Sequence, residues 1–362
     1  MAGLIRSTPR ADGFYMPGEY EPHAGAWMLW PERPDNWREN ALPAQQTFAK
    51  VAAAIVAFEP VTVGVSQRLY HEARRVLPEA VRVVELSCND SWMRDCGPTF
   101  VTNGSELRAV DWEFNAWGGL YIDYSLDEQV AQKVAEIERV DSYKAPLVME
   151  GGSIHTDGQG TLLTTKECLL NQNRNPQLSQ GQIEEYLREY LWVEKIIWLE
   201  RGIYLDETSG HVDNICCFLR PGEVALAWTE DKTDPQYEIS RENEAILQAA
   251  TDARGRRLKV HRIHLPAPAT ITKEESEGVV PVDGTYPRRE GDRLAASYIN
   301  FFFCNGGAVV PTFGDPMDAV ALAQLQALLP ERKVVGVYSR EILLGGGNVH
   351  CITQQVPGLK RT

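Results

Sequence analysis

Hydrophobic and polar positions recur in one order along the chain: a strand, a short polar or glycine turn, a second strand, an amphipathic helix and a short buried strand. Four hairpins begin this order, at 98–112, 153–165, 214–228 and 298–313. Apolar residues spaced three and four apart predict the helices that follow, at 126–139, 181–192, 239–253 and 316–329. The buried strands are predicted at 146–149, 195–199, 258–263 and 333–338.

A fifth helix, 43–58, and its strand, 61–66, have no hairpin beside them in the sequence. The two ends of the chain can supply it, because 25–31 and 348–357 both look like strands. We therefore predict an α/β fold of five ββαβ units in which the N- and C-terminal strands close a ring. Closure would place every hairpin rim around one central site. An open α/β chain with coincidentally regular hairpins is the alternative.

The chain contains no low-complexity tract and no interdomain linker, so residues 1–362 are predicted to form a single domain. The longest irregular stretch is 266–292. Loops of that length inside compact domains often act as lids or binding loops. A merely solvated insertion is the other interpretation of this segment.

The composition, 43% hydrophobic and 24% charged, is typical of a globular protein with a sizeable core. No signal-peptide pattern or membrane-span pattern is present, which predicts a cytoplasmic protein. Seven cysteines without regular spacing indicate reduced thiols, and no C-x-x-C pair predicts a zinc site. The net charge of −14 argues against nucleic acid or anionic membrane as partner and favours a cationic small molecule. Acidity that serves solubility alone is the alternative.

The segment GGGNVHCITQQ, 345–355, presents Cys351 on a predicted short strand behind three glycines. Glycines allow positive φ angles and close approach of a substrate, which favours Cys351 as a nucleophile. Neighbouring side chains on a strand point to opposite faces, so His350 is not expected to assist it. The alternative is a mobile turn followed by a strand that buries an unreactive cysteine.

The segment GHVDNICCF, 210–218, places His211 and Asp213 two apart on a predicted strand, where they would share a face. A histidine beside a carboxylate can act as general acid and base and can hold a cysteine as thiolate. No such neighbour in sequence accompanies His155, His261 or His264. A surface pair or a fragment of a metal site would give the same pattern.

Two further segments contribute carboxylates that look buried. Glu150 lies between an apolar strand and a Gly-Gly bend, and Asp90 and Asp95 flank Trp92 in CNDSWMRDCGPTF. Arg94 and Asp95 could instead form a structural ion pair.

A thiol, an imidazole and several carboxylates suit a guanidinium, a permanently charged donor that carboxylates bind in fork geometry. Its resonance-stabilised carbon requires a strong nucleophile such as a thiolate.

Six long segments resemble the agmatine deiminase (agmatine iminohydrolase) family of the guanidine-modifying pentein superfamily. They are MPGEYEPHAGAWMLWPERPDNWR (16–38), NDSWMRDCGPTF (89–100), MEGGSIHTDGQGTLLTTKECLLNQNRNP (149–176), DETSGHVDNICCF (206–218), SYINFFFCNGGAVVP (297–311) and GGGNVHCITQQ (345–355). The resemblance runs the length of the chain. It implies a five-bladed pseudo-symmetric ββαβ propeller, the pentein fold, which agrees with the five predicted units.

The resemblance also implies hydrolysis of agmatine to N-carbamoylputrescine and ammonia, a step in putrescine and polyamine biosynthesis, without cofactor or metal. Cys351 would form a covalent amidino-cysteine intermediate. His211 would protonate the departing ammonia and then activate water. Asp90 and Asp213 would clamp the guanidinium, and Glu150 would orient and stabilise His211.

The substrate-binding expectations extend to Glu207 as a contact for the distal amine of agmatine and to Trp92 as an apolar wall. A peptidylarginine or free arginine deiminase would share the mechanism, but the α-carboxylate of free arginine requires a cation where agmatine's amine requires an acceptor. Glu207 therefore favours agmatine. A non-catalytic polyamine-binding propeller is the alternative from another class. The family resemblance further implies a homodimer or homotetramer.

Overall fold

The computed structural model describes residues 3–359, which form an α/β fold of five small sheets. One sheet joins both ends of the chain through strands Thr353–Pro357, His23–Leu29, Val61–Val65 and Arg82–Glu85. The next contains Leu4–Ile5, Ser142–Val148, Leu107–Glu113 and Thr99–Thr102. The other three sheets are Lys195–Leu199 with Thr161–Thr165 and His155–Thr156; Cys216–Arg220 with Glu223–Trp228 and Lys259–His264; and Phe302–Cys304 with Gly307–Thr312 and Lys333–Tyr338.

The same ββαβ order builds each sheet. An antiparallel hairpin is followed by a helix, which carries the chain across to a third strand parallel to the second, because parallel strands need such a crossover. Local turn chemistry fixes the hairpins: in CNGG, Gly306 has φ +73°, a conformation that favours glycine. The predicted hairpins are thereby confirmed.

The predicted pairing of the two chain ends is also confirmed. Thr353 lies opposite Met28, and Pro357 opposite His23, in an antiparallel pair. Several predicted boundaries shift. The strand expected at 146–149 begins at Ser142, because the pattern Ser-Tyr-Lys-Ala-Pro-Leu alternates buried and exposed positions rather than forming one apolar run. The helix expected at 239–253 is Gln236–Ala249.

The longer helices lie between the second and third strands of each unit and bury one apolar face. They are Leu42–Val56, Val130–Glu138, Gln180–Leu191, Gln236–Ala249 and Met317–Leu328. Shorter helical turns are Glu39–Ala41, Tyr70–Val76, Met93–Cys96, Ala116–Gly119, Asp127–Gln129, Gly151–Ser153, Lys166–Leu169, Val212–Ile215, Lys273–Glu277 and Arg340–Leu344. Several of these turns carry the polar residues of the site. Within residues 3–359, no helix has both the length and the apolar character needed to cross a bilayer.

Candidate active site

Cys351 lies in a turn immediately before strand Thr353–Pro357, not on the strand itself, so its predicted placement is wrong. Its side chain is buried, with Sγ 3.2 Å from Asn300 Nδ2 and 3.6 Å from Asp213 Oδ2. The turn also brings His350 to the same side, where Nδ1 lies 3.0 Å from that same Asp213 oxygen. The expectation that His350 points away is wrong, because side chains alternate only along extended backbone.

The three glycines before Cys351 make room for side chains of this site. A Cβ on Gly347 would lie 2.5 Å from the Trp92 ring and 3.0 Å from Cys351 Sγ. A Cβ on Gly346, which has φ +110°, would lie 2.1 Å from Glu207 Oε1. Larger residues would therefore displace the groups that surround the thiol.

His211 and Asp213 reach the same site, but from a helical turn rather than from a strand. His211 caps the turn Val212–Ile215, and its backbone N–H donates to Asp206 Oδ2 at 3.1 Å. Only at Cys216 does the backbone become a strand. The predicted proximity is confirmed in the space around Gly152, where a Cβ would lie 2.6 Å from His211 Nδ1 and 2.9 Å from Asp213 Oδ2.

Glu150 faces the imidazole of His211, as the sequence predicted, with Oε2 3.5 Å from Nε2. Its other oxygen accepts from Arg174 Nε at 2.7 Å, and both side chains are fully buried. Burial disfavours the carboxylate, but Arg174 and His211 outweigh it and lower the pKa of Glu150. Burial also opposes the imidazolium, yet Asp95 first, then Cys168 and Glu150, raise the pKa of His211 well above its ordinary value.

Asp90 and Asp95 have different environments, and only Asp95 lies against His211. Asp95 Oδ1 is 3.9 Å from His211 Nδ1 and accepts from Gly152 N at 2.9 Å. Asp90 instead accepts from the indole N–H groups of Trp37 at 2.8 Å and Trp92 at 3.1 Å. The side chain of Asn36 and the backbone N–H of Ser91 also donate to Asp90. Asp90, which was predicted to clamp the guanidinium, thus positions Trp92, and Asp95 is the residue of this segment that lies beside His211.

A buried charged network behind the nucleophile was not predicted. Glu19 Oε2 lies 2.8 Å from His350 Nε2, and Glu19 Oε1 accepts from Arg94 NH1 at 3.2 Å. His155 Nε2 lies 3.6 Å from Glu19 Oε2. Glu19 and Asn300 belong to segments 16–38 and 297–311, whose resemblance to the family was the only sequence signal for them. The sequence allowed an ion pair between Arg94 and Asp95 as an alternative. Within the described residues Arg94 pairs with Glu19 instead.

Glu207 is occupied by Arg288 from the irregular segment 266–292. Arg288 donates to both carboxylate oxygens of Glu207 and also to Asn36 Oδ1 and the carbonyl of Gly345. A contact between Glu207 and a substrate amine would therefore require Arg288 to move or to share its partner. Trp92 lies beside Gly347 and Cys351, in agreement with its predicted place as an apolar wall.

Comparison with known proteins finds similarity along most of the chain. The Porphyromonas-type peptidyl-arginine deiminase family matches residues 15–357. The agmatine deiminase of Stutzerimonas stutzeri is 57% identical, with 98% of each chain covered. That of Pseudomonas aeruginosa strain LESB58 is 56% identical at the same coverage. The agmatine deiminase structure of Enterococcus faecalis is 50% identical, has a TM-score of 0.97, and covers 99% of this chain and 100% of that one.

The chain belongs to the agmatine deiminase family. Its α/β fold is accordingly the fold of that family, and the sequence resemblance is confirmed. The description of the matching family as peptidyl-arginine deiminase refers to the same guanidine group in another substrate.

Two groups in this agmatine deiminase-family site have the donor chemistry of a metal centre. Ligand atoms within 4.8 Å of one another occur in the sets Glu19, His155, His350 and Glu150, Cys168, His211. An arginine already bonds the carboxylate of each set: Arg94 in the first and Arg174 in the second. Because each guanidinium takes the position of a compensating cation, neither set favours a metal ion electrostatically.

Burial, followed by Asp213 and Asp95, raises the pKa of Cys351 well above its ordinary value. This direction favours the neutral thiol of Cys351. A cation placed between these carboxylates would reverse their effect and favour the thiolate. The raised pKa of His211 favours its protonated form.

Proposed function

We propose that this protein hydrolyses agmatine to N-carbamoylputrescine and ammonia through a covalent intermediate on Cys351. The observation that carries the proposal is the convergence of Asp213, Asp95 and His211 around Gly152, with the Cys351 thiol 3.6 Å from Asp213 Oδ2. The relatives at 50 to 57% identity that bear the name agmatine deiminase support the same reaction.

We infer that the five sheets are the blades of a pentein-type propeller, joined by the terminal strands. The repeated ββαβ order and the pairing of Thr353–Pro357 with His23–Leu29 support this arrangement. The site residues support it too, since Asp95, Glu150, His211 and Cys351 belong to four different units of the repeat and yet meet at one place.

Asp213 and Asp95 are proposed as the guanidinium clamp, with Asp95 in place of Asp90. A guanidinium donates only, so its partners must have acceptor capacity that faces the nucleophile. Asp213 Oδ1 has no hydrogen-bond partner within the described residues, and Asp213 Oδ2 lies beside Cys351. Asp95 adds a second carboxylate, 3.9 Å from His211 Nδ1, and its oxygens also accept from Gly152 N and Trp117 Nε1. The oxygens of Asp90 instead accept from Trp37, Trp92 and Asn36.

In the first half-reaction the Cys351 thiolate attacks the guanidinium carbon, and the bond to a terminal nitrogen breaks. His211 supplies the proton that lets ammonia leave, so the adduct retains the alkyl tail on a cationic carbon. His211 is then neutral and takes a proton from water, which attacks the same carbon. Expulsion of the thiolate releases the carbamoyl product, and the remaining proton passes to solvent, where it converts the ammonia released earlier to ammonium. Glu150, fixed by Arg174, would stabilise the imidazolium in each cycle.

Free arginine is the main rival substrate, because Arg288 is a buried cation near Gly345 and could attract an α-carboxylate. Its donors, however, are already directed to Glu207, Asn36 and the Gly345 carbonyl. Glu207 and Arg288 together bring no net charge to this region, which favours neither a carboxylate nor a second cation strongly. We propose that Glu207 acts on the substrate through Arg288 and that Trp92 lines the path of the alkyl chain.

The test is ammonia release by the purified protein from agmatine, L-arginine and a peptide with internal arginine, with Cys351→Ala as control. Turnover confined to agmatine and abolished in the variant supports both substrate and nucleophile. Preference for arginine or the peptide would keep the chemistry and change the substrate. No release from any of the three would favour a polyamine-binding protein without activity.

Three expectations from the sequence stay predictions: location in the cytoplasm, assembly as a homodimer or homotetramer, and independence of cofactor and metal. Light scattering of the purified protein measures the assembly state. Turnover after exhaustive treatment with chelator measures the need for a metal, and undiminished activity is expected.

A further inference from the structure

The strongest unassigned feature is the position of His350 between two buried carboxylates. Its Nδ1 lies 3.0 Å from Asp213 Oδ2 and its Nε2 lies 2.8 Å from Glu19 Oε2. All three side chains are at least nine-tenths buried. The sequence alone had excluded His350 from the site.

These contacts fix the number of protons on the ring. An ionised carboxylate accepts hydrogen bonds and has no hydrogen to donate, so both ring nitrogens must carry hydrogen for both contacts to form. The assigned orientation places a nitrogen at each carboxylate, whereas the flipped ring would place a ring carbon there and lose both hydrogen bonds. Arg94, 3.2 Å from Glu19, favours the ionised form of that carboxylate.

The charged groups that face His350 are Glu19, Asp213 and Arg94, with His155 at a ring distance of 6.3 Å. Burial and Arg94 oppose a charge on His350, but Glu19 and Asp213 outweigh them and raise its pKa. With His350 protonated, the set Glu19, Asp213, Arg94 and His350 is neutral. Without that proton, an uncompensated negative charge would remain 3.6 Å from the thiol of Cys351.

We propose that His350 is held as an imidazolium between Glu19 and Asp213, and that it is a positioning residue whose charge allows the Cys351 thiolate to form beside Asp213. The inference rests on the proposed deiminase function and adds to it a group that touches neither the substrate nor Cys351 Sγ. Asn300 connects His350 to the nucleophile. Its Oδ1 accepts from the backbone N–H of His350 at 2.9 Å, and its Nδ2 lies 3.2 Å from Cys351 Sγ.

A kinetic test is His350→Gln, which preserves a side chain that can hydrogen-bond but removes the charge. Asp213 remains to bind the guanidinium, so KM for agmatine should stay the same or fall. The thiolate becomes harder to form, so kcat should fall about tenfold or more, the change that a thiol pKa one unit higher produces. A purely structural defect would raise KM instead. The matched control is His155→Gln, a buried histidine of the same network that does not touch Asp213; it should change both constants only slightly.

The decisive readout is neutron diffraction from the wild-type protein near neutral pH, which needs no variant to fold. Deuterium on both ring nitrogens of His350 is expected. Deuterium on one nitrogen, or on a carboxylate oxygen of Glu19 or Asp213, would overturn the inference, as would His350→Gln with an unchanged kcat. Absence of agmatine turnover by the wild-type protein would refute the proposed function instead, while the proton positions would still decide the charge of His350.

Discussion

The candidate site contains two buried histidines, His350 and His211, whose contacts with carboxylates differ. His350 has a carboxylate within 3.0 Å of each ring nitrogen. His211 has Glu150 at 3.5 Å and Asp95 at 3.9 Å, and its Nε2 forms no hydrogen bond with any described residue. The first ring is held tightly on both sides, and the second is held loosely.

The difference separates two uses of the same side chain. A proton held by two short contacts is a fixed charge, because releasing it would leave one of the two carboxylates facing an acceptor nitrogen instead of a donor. A proton held by longer contacts can pass to ammonia and return from water. The difference in distance to the carboxylates supports the proposal that His211 exchanges its proton during the reaction while His350 keeps a fixed charge.

The largest effect is expected for His211→Asn, which removes the proton carrier. We expect kcat to fall by about 10² to 10⁴, the usual contribution of general acid–base catalysis. Steady-state kinetics on agmatine measures it, with His155→Gln as the control for loss of a buried histidine. A kcat close to that of wild type would contradict the assignment of His211 as the proton carrier. His350 would then become the candidate for that role.

Asp95→Asn should come next, with Asp90→Asn as its matched partner from the same segment. Loss of a buried charge partner of the guanidinium should cost about 2 to 5 kcal/mol in kcat/KM. Asp90→Asn should lower Tm, because Asp90 accepts hydrogen bonds from Trp37 and Trp92. It should lower kcat/KM less than Asp95→Asn does. The reverse order of the two kcat/KM losses would restore Asp90 as the clamp.

A smaller effect is expected from pH. Burial, then Asp213 and Glu150, raises the pKa of Asp95 to about 6 despite His211. Below that value the carboxyl is neutral, so the affinity of Cys351→Ala for agmatine should fall by up to about tenfold for each unit of pH. Calorimetric titration measures it. Affinity that stays constant between about pH 7 and 5 would show that Asp95 is not part of the clamp.

The same group should affect the stability of the empty protein with the opposite sign. The folded state binds the Asp95 proton more tightly than the unfolded chain does, so this contribution is present at low pH. It is lost as pH rises from about 4, the unfolded value, through about 6. The loss should be reduced in Asp95→Asn, and denaturant unfolding over this range measures the difference.

The smallest effect is expected for Glu207→Gln. Because Arg288 occupies both oxygens of Glu207, kcat/KM for agmatine and for butylguanidine, which lacks the distal amine, should fall by the same small factor. Both rates are measured on the same preparations. A loss confined to agmatine would show that Glu207 contacts the amine directly, as the sequence predicted.

The hydrophobic pattern along the sequence correctly predicted the features that depend on neighbouring residues. The hairpins follow from turns such as CNGG and from alternation, and the pairing of the chain ends follows from the one unit that lacked a hairpin. Cys351 and His211 were predicted to lie on strands, and both lie in turns. Side chains from other parts of the chain or from the preceding loop stabilise both turns. Asn300 accepts from the backbone N–H of His350, and Asp206 accepts from the backbone N–H of His211.

Glu19 illustrates why the remainder of the site could not be predicted. It lies 331 positions from His350 in sequence, and no period or spacing connects the two. Asp90 and Asp95 are equally acidic in sequence, and both accept indole N–H groups in the structure. The position of Asp95 beside His211 distinguishes them. Charge compensation between units is a property of the assembled fold, not of any one segment.

The most direct test of the central claim is mass spectrometry of the protein quenched with acid during turnover of agmatine. The account predicts an adduct with the mass of agmatine less ammonia on the peptide that contains Cys351, absent from Cys351→Ala. His211→Asn should change the proportion of this adduct, because the second half-reaction also needs the proton carrier. Continued hydrolysis by Cys351→Ala, with no adduct on the wild-type peptide, would contradict covalent catalysis by Cys351.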